Sequence, residues 1–249
     1  TGLHGQRLEI DAVDGLGLLA LWSPPEPMTW QGKTVAWLAA ELCAAVGLEF
    51  DYTGAPFSYA VPTYTIRPGQ NGLAALLDLL AIAGAVPWCT EAGKIYAAEL
   101  YSYGPASKLQ IGDKAEILRA SFGLEVIPYT GARVIGYNAS SGVGYSLDNY
   151  ASSMALGLRL IHTRYDARVD NSSTATDNAN YYWTLANENT RRLVITVPLR
   201  PDAEMYDLAN VLDTSVVPIG DNIRRLAGIR EEWDGDANRY ISTLTLRAY

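Results

Sequence analysis

Two glycine-bracketed helical segments, repeated at a fixed distance, constrain the fold of this chain most strongly. The opening glycines Gly32 and Gly69 and the closing glycines Gly47 and Gly84 are each separated by 37 residues. Between each pair, leucine, valine and alanine recur at the spacing of one helix face. Glycine ends helices because it enters the left-handed conformation at low cost. Since two copies are too few for a solenoid, the pattern predicts two small α/β lobes built from a duplicated helix-plus-strand unit.

Cap and turn residues fix the limits of these units. Thr34 and Asn71 stand where a side-chain oxygen can accept an unpaired amide of the first helical turn. After the first helix, residues 48–52 alternate as a strand does. After the second, residues 85–89 and 94–98 flank a Glu-Ala-Gly turn, which is typical of a hairpin.

Composition shifts divide the chain into three regions. A proline cluster at residues 23–27 breaks regular structure and sets the first boundary. The weak alternation in residues 7–22 predicts that residues 1–25 are N-terminal strands of a β domain. Residues 26–105 hold the duplicated α/β lobes, and residues 106–249 form a β-rich region.

The β-rich region carries several strand patterns and one predicted helix. Residues 193–197 form the strongest strand pattern, and residues 223–233 and 240–246 predict a terminal hairpin. The helix is predicted near residues 201–212, starting at Pro201-Asp202. The Asn/Ser/Thr/Asp-rich residues 170–180 indicate a long exposed loop or a helix with a frayed start. The predicted fold class is α+β, with small α/β lobes combined with antiparallel β-barrel-like or sandwich domains.

Charge and hydropathy exclude several classes of partner. The net charge is −8, and an acidic surface repels phosphate backbones, so no nucleic-acid binding is expected. No apolar run is long enough for a bilayer, so no membrane insertion is expected either. Cys43 and Cys89 predict buried thiols rather than a disulfide. No signal peptide is visible, and because the chain begins at Thr1 rather than Met, it is expected to be a processed product or a segment of a longer protein.

The motifs that could carry chemistry are weak. Residues 15–20 match a loose dinucleotide fingerprint, but only a few residues follow before the proline cluster, too few for the helix whose N-terminus would meet the pyrophosphate. Residues 234–238 resemble the start of a calcium loop, yet its sixth and twelfth positions are Arg239 and Thr245. His4 and His162 lie far apart and outside any metal-ligand motif. We therefore expect no catalytic residue, no cofactor and no metal.

An aromatic-rich surface leaves two alternatives open. Tyrosine and tryptophan carry large apolar rings with a polar tip, so they suit both subunit interfaces and sugar-binding faces. Glycan binding or hydrolysis by a carboxylate pair remains open, because such pairs are set by space and not by sequence. The acidic candidates are Glu188, Glu231, Glu232 and Asp234. The candidate interface or glycan-contact residues are Tyr181, Tyr182, Trp183 and Trp233.

Several short segments follow one another in a recurring order. Residues 64–70 come first, followed by a leucine-rich helix ending at Gly84 and a hairpin with residues 93–96. Downstream come a strand at residues 132–137 and a turn at residues 217–223. In this order the segments resemble the baseplate hub or tail-tip proteins of bacteriophages and phage-like particles, where the strand follows that unit and the turn opens the last barrel segment. The likeness covers residues 30–249 and depends on arrangement rather than on a diagnostic signature.

This resemblance implies a structural subunit without enzymatic activity. It implies a homo-oligomer, usually a trimer, that forms a ring at the end of a tail tube. The implied partners are other tail proteins, namely a tube or distal tail protein and a tape measure protein. The implied location is the virion tail, assembled in the bacterial host cytoplasm. The alternative function is a cell-surface carbohydrate- or receptor-binding module.

Overall fold

The architecture comes from a computed structural model of the 249-residue chain. It describes residues 14–90, 92–100, 109–112, 116–124, 131–138, 143–150, 161–188, 191–217, 222–234 and 239–248. Cysteines 43 and 89 are both free; Cys43 is buried and Cys89 is half-buried. Burial raises the pKa of the Cys43 thiol to about 12, so it is an inert part of the core.

The described residues form α-helices that lie mostly in the first half of the chain. The helices are α1 (Gly15–Leu21), α2 (Val35–Ala44), α3 (Gly72–Leu80) and α4 (Ser172–Glu188). Short 3-10 helices span Ala55–Ser58 and Ala81–Ala83. None of the helices in these ranges has the length and apolarity that crossing a bilayer requires.

The strands of the first hundred residues belong to two small sheets. A two-stranded sheet pairs β1 with β3, and a three-stranded sheet has the order β2-β5-β4. Their bounds are β1 (Met28–Thr34), β2 (Phe50–Thr53), β3 (Ala60–Ile66), β4 (Ala85–Cys89) and β5 (Ile95–Glu99).

The later strands belong to two further sheets. One has the order β10-β8-β9 and the other, with six strands, the order β6-β12-β13-β14-β11-β7. Their bounds are β6 (Leu109–Ile111), β7 (Arg119–Leu124), β8 (Gly131–Asn138), β9 (Val143–Tyr150), β10 (Ile161–Tyr165), β11 (Arg191–Pro198), β12 (Leu208–Val211), β13 (Ile223–Asp234) and β14 (Arg239–Ala248). The predicted α+β fold class is confirmed.

The duplicated unit is present, and its two copies share one core. Thr34 and Asn71 cap α2 and α3 as predicted, accepting the amides of Trp37 and Ala74. Gly47 and Gly84 take positive φ angles of 78° and 60°. Each helix follows a strand of the β1–β3 sheet and precedes a strand of the β2-β5-β4 sheet. Leucines of both helices lie in a single buried cluster with Leu19 and Ile95. We call this unit, residues 26–100, the α/β lobe.

The prediction of a strand after Asp14 is wrong. The Asp14 carboxylate accepts the Gly17 amide and so caps α1, whose Leu19 is buried in the lobe core. An Asp-Gly pair favours a turn, but the same aspartate also favours a helix N-cap, and packing of α1 on α3 decides between them. The predicted strand before Asp14 lies outside the described residues, and the domain boundaries near residues 25 and 105 stay predictions.

The polar stretch 170–180 is mostly helix. It forms the first half of α4, whose Ala175, Asn178 and Ala179 are buried at helical spacing. The Asn178 amide donates to the Ile82 carbonyl oxygen at 2.6 Å. The Tyr59 hydroxyl donates to Asp177 at 2.5 Å. α4 therefore packs against the β10-β8-β9 sheet on one side and against the α/β lobe on the other.

The six-stranded sheet curls over its own core. Leu193, Ile195 and Val197 of β11 face inward with leucines of β13 and β14. The Arg224 guanidinium carbon lies 5.4 Å from the Phe122 ring centre, although β14 and β11 separate the two parent strands. Strands about 4.8 Å apart would hold β13 and β7 roughly 14 Å apart if the sheet were flat. The sheet is therefore a half-barrel, in accord with the predicted barrel-like region and terminal hairpin.

The helix predicted near residues 201–212 is absent from the structure. Tyr206 has a positive φ of 68°, which no α-helix accommodates, and Leu208–Val211 form β12. β12 pairs with β13 and β6, and its Leu208, Ala209 and Val211 are buried. The apolar residues have helical spacing, but the sheet needs a strand between β6 and β13. Pairing and burial in that place outweigh the local preference of these residues for a helix.

Candidate assembly surface

Strand β7 is an edge of the half-barrel that is exposed on both faces. Among the described strands it pairs only with β11, through a register that sets Phe122 opposite Leu193. Residues 119–123 are all exposed, including Phe122 on the core side, which is 40% exposed. An edge strand with unpaired amides and carbonyls is a template for another chain. A surface of this kind is usually covered in an assembly.

A groove lies beside β7 on the outer face of the same sheet. Its volume is about 620 Å³. Leu118, Val194 and Ile241 provide apolar contact area, and Thr196 and Thr243 add hydroxyl groups between them. These residues come from or adjoin β7, β11 and β14, which neighbour one another in the sheet. An extended segment or the rim of another subunit can pack in a groove with this lining.

The charges of the groove are opposite in sign to the charge of the chain. Arg119, Arg230 and Arg239 line it together with one acid, Glu232, whose carboxylate pairs with Arg230. The whole chain, by contrast, has a net charge of −8. Arginine forms planar, paired hydrogen bonds with carboxylates, so a cationic groove of this kind favours an acidic partner surface.

An ion-pair cluster fixes the α/β lobe against the β10–α4 segment. Arg168 binds Asp78 of α3 at 2.6 Å and Asp166 at 2.6 Å. Arg164 reaches the same two carboxylates at 3.1 Å, and its guanidinium lies over the Tyr182 ring. Burial alone would raise the pKa of Asp166, but hydrogen bonds from Arg168 and Arg164 outweigh it and hold the pKa below its ordinary value.

Tyr182 and the neighbouring aromatic rings extend this contact. The Tyr182 ring centre lies 5.2 Å from His162 and 5.1 Å from Tyr181. Burial raises the pKa of the Tyr182 hydroxyl, so the ring is neutral near pH 7. Tyr181 packs against Trp88 and Leu100 of the lobe. These contacts therefore hold the lobe against the β10–α4 segment.

Solved structures of tail proteins share this architecture. A tail protein from Neisseria meningitidis MC58 matches with a TM-score of 0.69 and 19% identity, over 93% of this chain and 71% of that one. The 43 kDa tail protein of prophage MuSo2 from Shewanella oneidensis matches with a TM-score of 0.63 and 15% identity, over 88% and 66%. The chain has the fold of phage tail proteins. The resemblance inferred from the sequence is confirmed at this level.

A secretion-system protein has the same tail-protein fold. The E. coli c3393 protein, a component of the type VI secretion system with structural similarity to the T4 tail proteins gp27 and gp5, matches with a TM-score of 0.57 and 13% identity. The match covers 94% of this chain and 53% of that protein, so this chain spans about half of it. No protein-family model and no curated protein sequence matches the chain.

The tail-protein fold separates the four aromatic residues proposed from the sequence. Tyr181 is buried and Tyr182 and Trp183 are half-buried on α4. Trp233 is 50% exposed and contacts the tilted ring of Tyr240 beside the turn of the β13–β14 hairpin. Tyr181 packs with Leu100, whose carbonyl oxygen lies 3.4 Å from the Arg225 guanidinium, and Trp233 is eight residues further along β13, about 26 Å of strand. One groove lined by all four rings is therefore not formed, and contact of Tyr182, Trp183 or Trp233 with a partner stays a prediction.

Two of the four candidate acids lie on opposite faces of β13. Glu231 and Glu232 are consecutive in β13 and so point to opposite faces. Glu188 is the last residue of α4, and Asp234 is the last residue of β13. In the ranges that the structure describes, no group of three or more His, Cys, Asp or Glu residues could hold a metal ion. His162 contacts Tyr182, whereas His4 lies outside these ranges.

The groove could not be predicted from the sequence, because none of its residues forms a distinctive sequence pattern by itself. The signal lies in the alternation of β11, where Val194 and Thr196 stand between the buried Leu193, Ile195 and Val197. Combined with Arg230 and Glu232 in the terminal hairpin, this alternation marks an outer sheet face. The sequence does not reveal that β7 adjoins β11, since long-range pairing brings them together.

Proposed function

We propose that this chain is a non-catalytic structural subunit of a phage-tail-like hub or tip, forming a ring at the end of the tail tube. The observation that carries the proposal is the tail-protein fold, shared over 93% of the chain with a tail protein. The exposed edge of β7 and its groove support it, because a ring subunit needs surfaces that neighbours complete.

The proposed partners follow from this role. The chain associates with copies of itself, as a trimer, and contacts a tube or distal tail protein and a tape measure protein. Its location is the virion tail, after assembly in the bacterial host cytoplasm. Residues 26–105 would form the inserted α/β region, and residues 106–249 the barrel-like region that builds the ring.

Labelling of intact particles tests this location. A gold-labelled antibody against the α/β lobe, applied to particles of the phage or phage-like element that encodes the chain, should mark one end of the tail tube. A gold-labelled antibody against the protein that forms the tube serves as the control and should mark the whole length of the tube. Label distributed along the tube, or absent from assembled particles, would contradict the proposed position.

A second function is favoured by one observation, the exposed aromatic pair Trp233–Tyr240. The ring centres are 4.4 Å apart and both side chains are at least half exposed. Such a pair can stack on a sugar ring, as a receptor- or carbohydrate-binding module requires. If the pair binds a cell-surface glycan, Trp233→Ala should weaken binding at least about tenfold on a glycan array.

Tyr165→Ala is the matched control for this experiment. Tyr165 is 76% exposed at the end of β10, far in sequence from the hairpin, so its removal should leave glycan binding unchanged. A screen in which the wild-type chain binds no glycan would remove the second function and leave the structural one.

A further inference from the structure

The groove beside β7 has no occupant from its own chain among the described residues. The α/β lobe contacts β13 at Arg225, whose guanidinium lies 3.4 Å from the Leu100 carbonyl oxygen. Arg230 of the groove is five residues further along, about 17 Å of strand. Arg239 and Ile241 lie further still, beside the hairpin turn. The groove therefore opens away from the lobe that the same chain provides.

The α/β lobe is the more acidic part of the chain. Residues 26–100 contain seven acidic and three basic residues, a net charge of −4, whereas residues 101–249 contain 17 acidic and 15 basic residues, a net charge of −2. Asp78 is already paired with Arg164 and Arg168 inside the chain. The other acids of the lobe include Glu41, Glu49 and Asp51, which are exposed. The lobe thus offers the charge that the arginine groove favours.

The acidic side of the lobe also contains an edge strand. β2 is an edge of the β2-β5-β4 sheet, and residues 51–53 are exposed. Glu49 directly precedes β2 and is two residues from Asp51, so the two acids lie on the same side of the extended chain. The exposed Lys94 beside them pairs with Glu49, and Asp51 is the acid of this edge that has no ion pair among the described residues.

We propose that the β7 groove binds the acidic β2 edge of a second copy of this chain. The groove arginines Arg119 and Arg230 face Asp51 and Glu49 of the neighbouring copy, while the free edges of β7 and β2 lie side by side. This inference rests on the proposed function and names the contact that would build the ring. Because groove and β2 edge are different surfaces, the contact is head-to-tail, and head-to-tail contacts close into rings when the rotation permits.

Charge reversal of the groove tests the contact. The variant Arg119→Glu with Arg230→Glu should raise the dissociation constant for self-association about 100-fold, because like charges would then face each other. The constant is measured by sedimentation equilibrium of the full chain. The control variant Lys33→Glu with Arg67→Glu makes the same change in net charge at exposed positions of the β1–β3 sheet and its end, outside both the groove and the β2 edge, and should shift the constant less than about threefold.

Restoration by a second reversal makes the test specific to the two surfaces. Adding Glu49→Lys and Asp51→Lys to the groove variant should restore self-association to within about tenfold of the wild-type chain. The reversal of β2 alone should weaken association as much as the reversal of the groove alone. Circular dichroism spectra matching the wild-type spectrum confirm that each variant is folded.

The possible outcomes separate this inference from the proposed function. If the wild-type chain associates but the groove variant associates equally well, the proposed contact is wrong, and the proposed ring is not contradicted. The contact is likewise wrong if the groove variant is weakened but the β2 reversal fails to restore association. If the wild-type chain stays monomeric at its highest soluble concentration, the self-contact is overturned, and particle labelling decides separately whether the chain is a tail component.

Discussion

Replacing Gly136 by alanine will lower the free energy of unfolding by about 3 kcal/mol, the upper range for forcing extra volume into a packed site. Gly136 lies in β8, where the loop after β10 crosses it. A Cβ atom at this position would stand 1.9 Å from the Val169 carbonyl oxygen. The same oxygen accepts the Tyr137 amide at 2.9 Å, so the loop cannot retreat without losing a backbone hydrogen bond. Urea unfolding followed by tryptophan fluorescence measures the effect.

Gly123→Ala is the matched control for this substitution. Gly123 also lies in a strand, but its added Cβ would meet only the Arg192 carbonyl oxygen, at the ordinary distance of 3.8 Å. Its free energy of unfolding should change by less than about 1 kcal/mol. Equal losses for the two variants would show that the close approach of residues 136 and 169 is not a feature of the folded chain.

Replacing Asp166 by asparagine will lower the free energy of unfolding by about 2 kcal/mol. The Asp166 side chain is only 5% exposed and accepts hydrogen bonds from Arg164 and Arg168. Removing one partner of a buried ion pair costs about 3–5 kcal/mol, and the partial exposure of both arginines reduces that figure here. Chemical unfolding at pH 7 provides the measurement, because Asp166 is ionised there.

The contribution of Asp166 also depends on pH. The ion pairs hold its folded-state pKa below the ordinary value of 3.8. The stabilisation is therefore complete above the unfolded pKa and is lost as the pH falls through the lowered folded value. The difference in stability between the wild-type chain and Asp166→Asn should accordingly be constant from pH 7 to about pH 5 and shrink below pH 4.

Asp202→Asn controls for the loss of a carboxylate in general. Asp202 pairs with Arg200, but its side chain is 56% exposed, and surface pairs contribute about 0–1 kcal/mol. A loss of stability as large for this variant as for Asp166→Asn would contradict the role assigned to the buried cluster.

The local parts of the fold could be predicted from the sequence, because neighbouring residues determine them. Thr34 and Asn71 cap helices through their own side chains, and Gly47 and Gly84 end them through positive φ angles. The same reasoning failed at residues 201–212. There the apolar spacing suited a helix, but the sheet required a strand between β6 and β13.

The contacts between the parts of the chain could not be predicted. Gly84 was identified as a helix end, but its second role, accepting the close approach of Asp177 in α4, depends on a residue 93 positions away. Asn178 is polar and yet fully buried, because its amide bonds the Ile82 carbonyl oxygen across the same contact. The arginine groove joins strands distant in sequence in the same way, so single-residue patterns do not mark it.

Native mass spectrometry of the full chain tests the central claim, that this tail-protein fold builds a ring from copies of itself, most directly. We expect a principal species with three times the chain mass of 27.0 kDa, which dissociates as the salt concentration rises. Two-dimensional averages of the same sample by electron microscopy should show three-fold symmetry. A chain that remains a monomer under all conditions, or that forms only two-fold dimers, would contradict the claim.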